Sequence, residues 1–176
     1  MIAEPYQAIT YGKETFNEIF RVVIETPKGS AEKYAYEEDT GFFLMKKILP
    51  AGMVFPYDFG FIPGTRGGDG DPLDILILSE FHSFPGVAMD CRIVGGFGAR
   101  QGKTKAGMEE NDRFIAIPSV STTFGQIRDW NKIPPIIVKE LENFFVNYNK
   151  EEQKDFKVKG YLTAAQAIRK IKKRTL

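Results

Sequence analysis

Asp69, Asp71 and Asp74 fall within six residues of one another in Gly67-Gly-Asp-Gly-Asp-Pro-Leu-Asp74. Gly67, Gly68 and Gly70 permit tight backbone there, and Pro72 fixes φ in mid-turn. Two unit negative charges about 4 Å apart repel by roughly 4 kcal/mol at an effective dielectric near 20. Three carboxylates on one turn therefore point to a cation, and an all-oxygen donor set suits Mg²⁺, Mn²⁺ or Ca²⁺ rather than zinc. A solvated acidic turn, which Gly, Asp and Pro favour without any ligand, is the competing reading. An EF-hand is not. Asp69, Asp71 and Glu80 match loop positions 1, 3 and 12, but Leu73 stands at position 5 and Asp74 replaces the glycine of position 6.

Other chemistries find little support. His82 is the single histidine, in the loop-like Glu80-Phe-His-Ser-Phe-Pro-Gly86, and no Gly-x-Ser-x-Gly elbow accompanies it. Cys91 is the single cysteine, which excludes a disulfide framework and a cysteine zinc site within one chain. Lys and Arg number 24 against 23 Asp and Glu, so charge directs the chain neither to nucleic acid nor to a membrane. The first residues lack the basic and apolar segments of a signal peptide, and no 18 apolar residues run uninterrupted. A soluble, cytoplasmic protein is expected. The run Gly95–Gly107 is rich in Gly and Lys but lacks the Walker spacing, and reads as a mobile loop. Hydrolytic chemistry here would rest on metal and carboxylates.

The elements that must position these groups can be read from apolar patterning. At 176 residues the chain is expected to hold an arm, residues 1–17, and a single domain, residues 18–176. Ile19–Glu25 is β-prone and delivers Glu25 at its end, where a solvated side chain is the simpler reading. Lys33–Glu37 and Phe42–Ile48 flank a hairpin turn at Glu38-Asp-Thr-Gly41. Phe55, Tyr57, Phe59 and Phe61 alternate, which suits a pocket wall or the core. Strands are expected at Leu73–Leu78, Val87–Val94, Phe114–Pro118 and Phe156–Lys159. Pro134-Pro135 starts a helix over Ile136–Asn149, with Ile137, Leu141, Phe144 or Phe145, and Tyr148 on one face. Thr163 caps a last helix, Ala164–Lys173, whose basic end suits the helix dipole. Strands followed by late helices indicate an α+β fold with a β-barrel-like core.

Taken in order, these features resemble the soluble family I inorganic pyrophosphatases. Asp69-Gly-Asp-Pro-Leu-Asp74 matches the family signature, Val23-Ile-Glu25 its first strand, and Lys33-Tyr34 its Lys-Tyr pair. Phe55-Pro-Tyr-Asp-Phe-Gly60, Ile115-Ala-Ile-Pro118, Phe144-Phe145 and Tyr148 follow in the family's order. The resemblance implies a small five-stranded OB-like barrel with flanking helices. It also implies hydrolysis of pyrophosphate to two phosphates by a metal-activated water with Mg²⁺, and assembly into a homo-oligomer, a hexamer in bacterial members. Carried over, Asp69, Asp71 and Asp74 would be metal ligands, and Asp71 would face the attacking water as ligand or general base. Glu25 would support further metals through water, while Lys33, Lys47, Arg113 and Tyr148 would contact phosphate.

Several positions depart from the family pattern. Ala35 stands for a Glu, Lys47 for an Arg, Phe55 and Phe59 for tyrosines, Asn149 for a Lys, and Asn111 for a metal-binding Asp. A further family Asp falls within Thr104-Lys-Ala106, where there is no carboxylate. Glu109, Glu110 or Asp112 would compensate if the loop shifted register, which for Asp112 requires a bulge. These departures open a second reading, a pyrophosphatase-like protein that binds phosphate, nucleotide or a partner without useful catalysis. A third is turnover of another phosphoanhydride.

Overall fold

Runs of β-branched and aromatic residues, separated by turns rich in Gly, Pro and Asp, become strands that bury one or both faces. The computed structural model describes residues 10–11, 18–103 and 107–176. In chain order the elements are β1 (Thr10–Tyr11), β2 (Ile19–Thr26), β3 (Glu32–Glu37), β4 (Phe42–Ile48), β5 (Asp58–Ile62) and β6 (Leu73–Ile77). They continue with β7 (Ala88–Gly102), β8 (Glu109–Glu110), β9 (Arg113–Pro118), α1 (Pro135–Glu151), β10 (Asp155–Thr163) and α2 (Ala164–Lys173). Strands β2, β5, β6, β9 and β7 follow one another in the sheet, and β7 pairs back onto β2, closing a five-stranded ring. β6 and β9 run parallel, and the other seams of the ring are antiparallel. The expected α+β barrel is what forms.

Both faces of the ring strands are apolar because each has its own helix. Leu76, Ile115 and Ile117 pack with Ile137, Leu141 and Phe145 of α1, whereas Ile75, Ile77 and Phe114 pack with Ala167, Ile168 and Ile171 of α2. Successive side chains of a strand point to opposite faces, so continuous runs such as Ile75-Leu-Ile77 serve both layers. α2 begins as expected, with Thr163 and Gln166 forming a reciprocal capping box. No helix among the described residues is long and apolar enough to cross a membrane.

Three expectations change. Gly95–Gly102, read as mobile loop, is the second half of β7 and pairs with β8, β9 and β10. Its glycines are there for close approach. A Cβ on Gly96 would lie 2.5 Å from the carbonyl oxygen of Arg113, and one on Gly95 would lie 2.6 Å from that of Leu162. The strand expected at Phe156–Lys159 runs on to Thr163 through an irregularity between Val158 and Gly160. A short 3-10 turn, Trp130–Lys132, interrupts the loop before α1. Of the expected arm, only Thr10–Tyr11 lies within the described residues, its backbone paired with β2. Residues 104–106 lie outside them as well.

One irregularity bears directly on function. Ile24 faces Gly60 across the β2–β5 seam and Thr26 faces Phe59, so Glu25 is the extra residue of a β-bulge. The bulge brings the strands so close that a Cβ on Gly60 would lie 1.9 Å from the Val23 carbonyl oxygen. Gly60→Ala should therefore cost about 3 kcal/mol or more of folding stability. Urea denaturation checks this, and a loss below about 0.5 kcal/mol, the scale of an ordinary surface change, would refute it.

Candidate active site

The acidic turn is built by its own backbone. The Gly67 N–H donates to the Asp71 carbonyl at 2.7 Å, the Asp71 N–H donates to Asp69 Oδ1 at 3.2 Å, and Gly70 takes φ +94°. Asp69 and Asp71 thereby line the same cleft as Asp74, the second residue of β6. The parallel β6–β9 register sets Ile75 beside Phe114, so the preceding residues, Asp74 and Arg113, are neighbours too. Arg113 Nη1 lies 2.6 Å from Asp74 Oδ2. Arg113 is buried, also donates to the side chains of Asn111 and Gln101, and keeps a buried Nε without a partner among the described residues.

Burial pushes the Asp74 carboxyl above its ordinary range, with Arg113 and Lys33 pulling it down and Asp69 and Asp71 adding to the rise. A quarter of its side-chain surface still reaches solvent, which moderates the effect. Glu25 is also pushed up, to about 7. Burial is the chief cause, opposed by the Tyr36 N–H that donates to Oε1 at 2.8 Å, and reinforced by Asp74.

Opposite the aspartates stands a basic and aromatic wall. Lys33 Nζ lies 5.8 Å from the centre of the Tyr148 ring and 5.9 Å from that of Phe59. Lys47, its cross-strand partner, sits 3.7 Å over Tyr148 and is ion-paired with Glu152. Burial raises the Tyr148 hydroxyl against the pull of Lys47, so it remains a proton donor at neutral pH. Lys33, Arg113, Tyr148 and the three aspartates share a lobe of about 260 Å³. A second lobe of about 430 Å³, which also contains Lys33, Asp71 and Asp74, reaches Glu25, Ala35 and the acidic tip of the β3–β4 hairpin.

Most of the residues singled out from sequence thus meet at one cleft. Lys47 reaches it through Tyr148 and Glu152, and lines neither lobe. Phe55 and Phe59 are both wall and core, packed with Phe144, Phe145 and Tyr148. Asn149 turns its amide back to donate to the Phe145 carbonyl at 2.9 Å. The acidic loop keeps a regular register, Glu110 facing Arg100 and Arg113 facing Phe97, and Glu110, Asn111 and Asp112 line a further pocket with Asp69 and Asp74. Asn111 faces the cleft, while Asp112 accepts from Lys170 at 2.5 Å and from the Ala99 N–H at 3.2 Å. Glu110 accepts from the same Lys170 at 2.7 Å, and Glu109 is exposed opposite Gln101. His82 is exposed in a loop, as expected. Sequence reasoning missed Gln101, Glu152 and Lys154, all lining the first lobe, because the first lay in a presumed loop and the others just beyond a helix end.

Among the described residues no three Asp, Glu, His or Cys side chains already converge as a chelating group. Asp69, Asp71 and Asp74 instead stand as separate oxygen donors around one cavity, where the charges of the first two raise the proton affinity of the third. Such a set fits a hard divalent cation, which would relieve that repulsion.

Comparison with known proteins accords with this geometry. The family model for inorganic pyrophosphatase matches residues 22–175. The inorganic pyrophosphatase of Leifsonia xyli is 38% identical over 149 residues, covering 84% of this chain and 88% of the relative. That of Aquifex pyrophilus is 34% identical over 171 residues, covering 96% and 93%. The crystal structure of inorganic pyrophosphatase from Thermus thermophilus superposes with a TM-score of 0.85 at 29% identity, over 98% of this chain and 97% of that one.

The proton affinity of Glu25 has a measurable consequence. Between the ordinary carboxylate value of 4.5 and about 7, the folded metal-free chain binds more protons at Glu25 than the unfolded chain does. Stability is therefore highest below the lower value and falls as pH rises through the upper one, by an amount on the order of 3 kcal/mol. Urea unfolding with chelator present, at about pH 5 and about pH 8, should show wild type losing that much more than Glu25→Gln. Equal losses would refute the assignment.

Proposed function

Since this chain belongs to the inorganic pyrophosphatase family, we propose that it hydrolyses inorganic pyrophosphate to two phosphates in this cleft, with Mg²⁺ as cofactor and water as nucleophile. The observation that carries the reading is the facing of Asp69, Asp71 and Asp74 by Lys33, Arg113 and Tyr148 across one lobe. Asp69, Asp71 and Asp74 would hold the cation, with Glu25 behind them. When bound, Mg²⁺ screens the substrate's charge and lowers the pKa of a water it touches.

The chain's own groups do the rest. Asp71, at the exposed tip of the turn, accepts the proton of the attacking water. Lys33 and Arg113 bind phosphoryl oxygens, Arg113 with a guanidinium already held by Asp74 and Asn111. That preorganisation means little rearrangement is needed as charge develops. The Tyr148 hydroxyl donates a hydrogen bond to phosphate, and Lys47 above its ring favours that polarity. Phe55, Phe59 and Phe145 exclude water behind the substrate and strengthen each charge contact.

Ala35, Phe55, Phe59, Asn111 and Asn149 remove polar contacts that the family pattern supplies, so turnover is expected to be slower than with the full set. A protein that binds phosphate with negligible turnover is the second reading. It is favoured by the pairing of Glu110 and Asp112 with Lys170, which occupies both carboxylates. We also infer a cytoplasmic homo-oligomer. Phe81 and Val120, 83% and 88% exposed on loops joined through Glu80, support such assembly. Light scattering would test it, and a monomer would refute it.

Phosphate release from pyrophosphate with Mg²⁺, measured colorimetrically, tests the activity. Asp71→Ala should lower kcat by about 100-fold or more. Lys33→Met should raise KM as well as lower kcat. A wild-type rate no higher than that of Asp71→Ala would refute hydrolysis and leave the binding reading.

A further inference from the structure

We propose that Lys154 is a substrate-binding residue that contacts a phosphoryl group of the diphosphate, and that Glu152 is its positioning residue. The assignment rests on the pyrophosphatase reading of the cleft and extends it to a part of the chain beyond the helix.

α1 ends in a tight reversal. The Gln153 N–H donates to the Lys150 carbonyl and the Lys154 N–H to the Asn149 carbonyl, each at 2.9 Å. This pair of bonds closes a helix C-terminus around a left-handed residue, usually glycine. Here that residue is Gln153, at φ +56°, and the left-handed conformation costs a non-glycine side chain about 1 kcal/mol or more. The strained turn directs both Glu152 and Lys154 into the lobe that holds Lys33, Arg113 and Tyr148.

Charge and reach then define what Lys154 can do. Lys154 Nζ is 2.9 Å from Glu152 Oε2, while the other oxygen of that carboxylate pairs with Lys47. A single carboxylate thus tethers two ammonium groups, leaving the trio with a net positive charge. Although partial burial pulls the Glu152 carboxyl upward, hydrogen bonds from Lys47 and Lys154 hold it below its ordinary range. Asn149 brings no cation, since its amide is uncharged, and that amide donates to the Phe145 carbonyl. Lys154 is therefore the cation that the helix end contributes to the lobe. Its side chain is 36% exposed and carries three N–H donors on a flexible stem. It can keep one donor on Glu152 and offer another to a phosphate oxygen.

Calorimetric titration with methylenediphosphonate, a non-hydrolysable diphosphate, in Mg²⁺ tests this. Lys154→Met should weaken binding about tenfold, the scale of one charge-assisted hydrogen bond. Lys154→Arg should stay within about threefold of wild type, and Lys139→Met, on the exposed face of α1, should not differ. In steady state Lys154→Met should raise KM more than it lowers kcat. Should that variant fail to fold, wild-type protein with ¹³C-methylated lysines gives the same answer through the Lys154 resonance, which should shift on titration. Unchanged affinity in Lys154→Met, or an unmoved resonance, overturns the assignment while hydrolysis by wild type stands. Lys154-dependent binding without pyrophosphate hydrolysis overturns the activity instead. No binding by wild type overturns both.

Discussion

The ion pair between Asp74 and Arg113, 2.6 Å long across the parallel seam of the ring, is the contact on which the cleft depends. Arg113 is almost wholly buried, and a buried guanidinium without a counter-charge would cost several kcal/mol. Asp74, for its part, shares its surroundings with Asp69, Asp71 and Glu25, and the charge of Arg113 opposes the rise in its proton affinity there. Each group makes the other's position tenable. Because both sit on the strand backbone at the same level of a two-strand register, their spacing is fixed by sheet hydrogen bonding rather than by loops.

Alternation along β9 and the residues before it divides the remaining charges. Asn111 and Arg113 face the cleft, and the intervening Asp112 turns to Lys170 of α2. The acidic loop is thus split between a polar cleft wall and a structural tether to the last helix. That tether sets what a neighbouring carboxylate has left to offer: Asp112 already accepts from Lys170 on one oxygen and from the Ala99 N–H on the other.

Local features were legible from sequence where local chemistry decides them. The turn around Gly70, the hairpin at residues 38–41, the prolines opening α1 and the Thr163 cap lie where their residue types put them. Asp69, Asp71, Asp74 and Lys33 could be nominated for the same reason. Long-range pairing was not legible. Gly95–Gly102 has the composition of a loop, and its strand character comes from neighbours that approach glycine closely on either side. The aim of Glu25 depends on a register slip against Gly60 that no single strand announces. Glu152 and Lys154 enter the cleft through a left-handed Gln153, a conformation that sequence argues against.

The ring also has an order of assembly written into it. Strands β2, β5, β6 and β7 can pair among themselves as an open sheet, β6 at one margin and β7 at the other. Of the five ring strands β9 comes last in the chain, and it docks against both margins at once. During synthesis on the ribosome, the nascent sheet keeps two unpaired edges until that strand emerges, and exposed edges invite wrong partners. The docking strand carries Arg113 at its first position. Closure of the barrel and arrival of the cation beside Asp74 are therefore one event, and a half-made chain holds acidic groups without the means to use them.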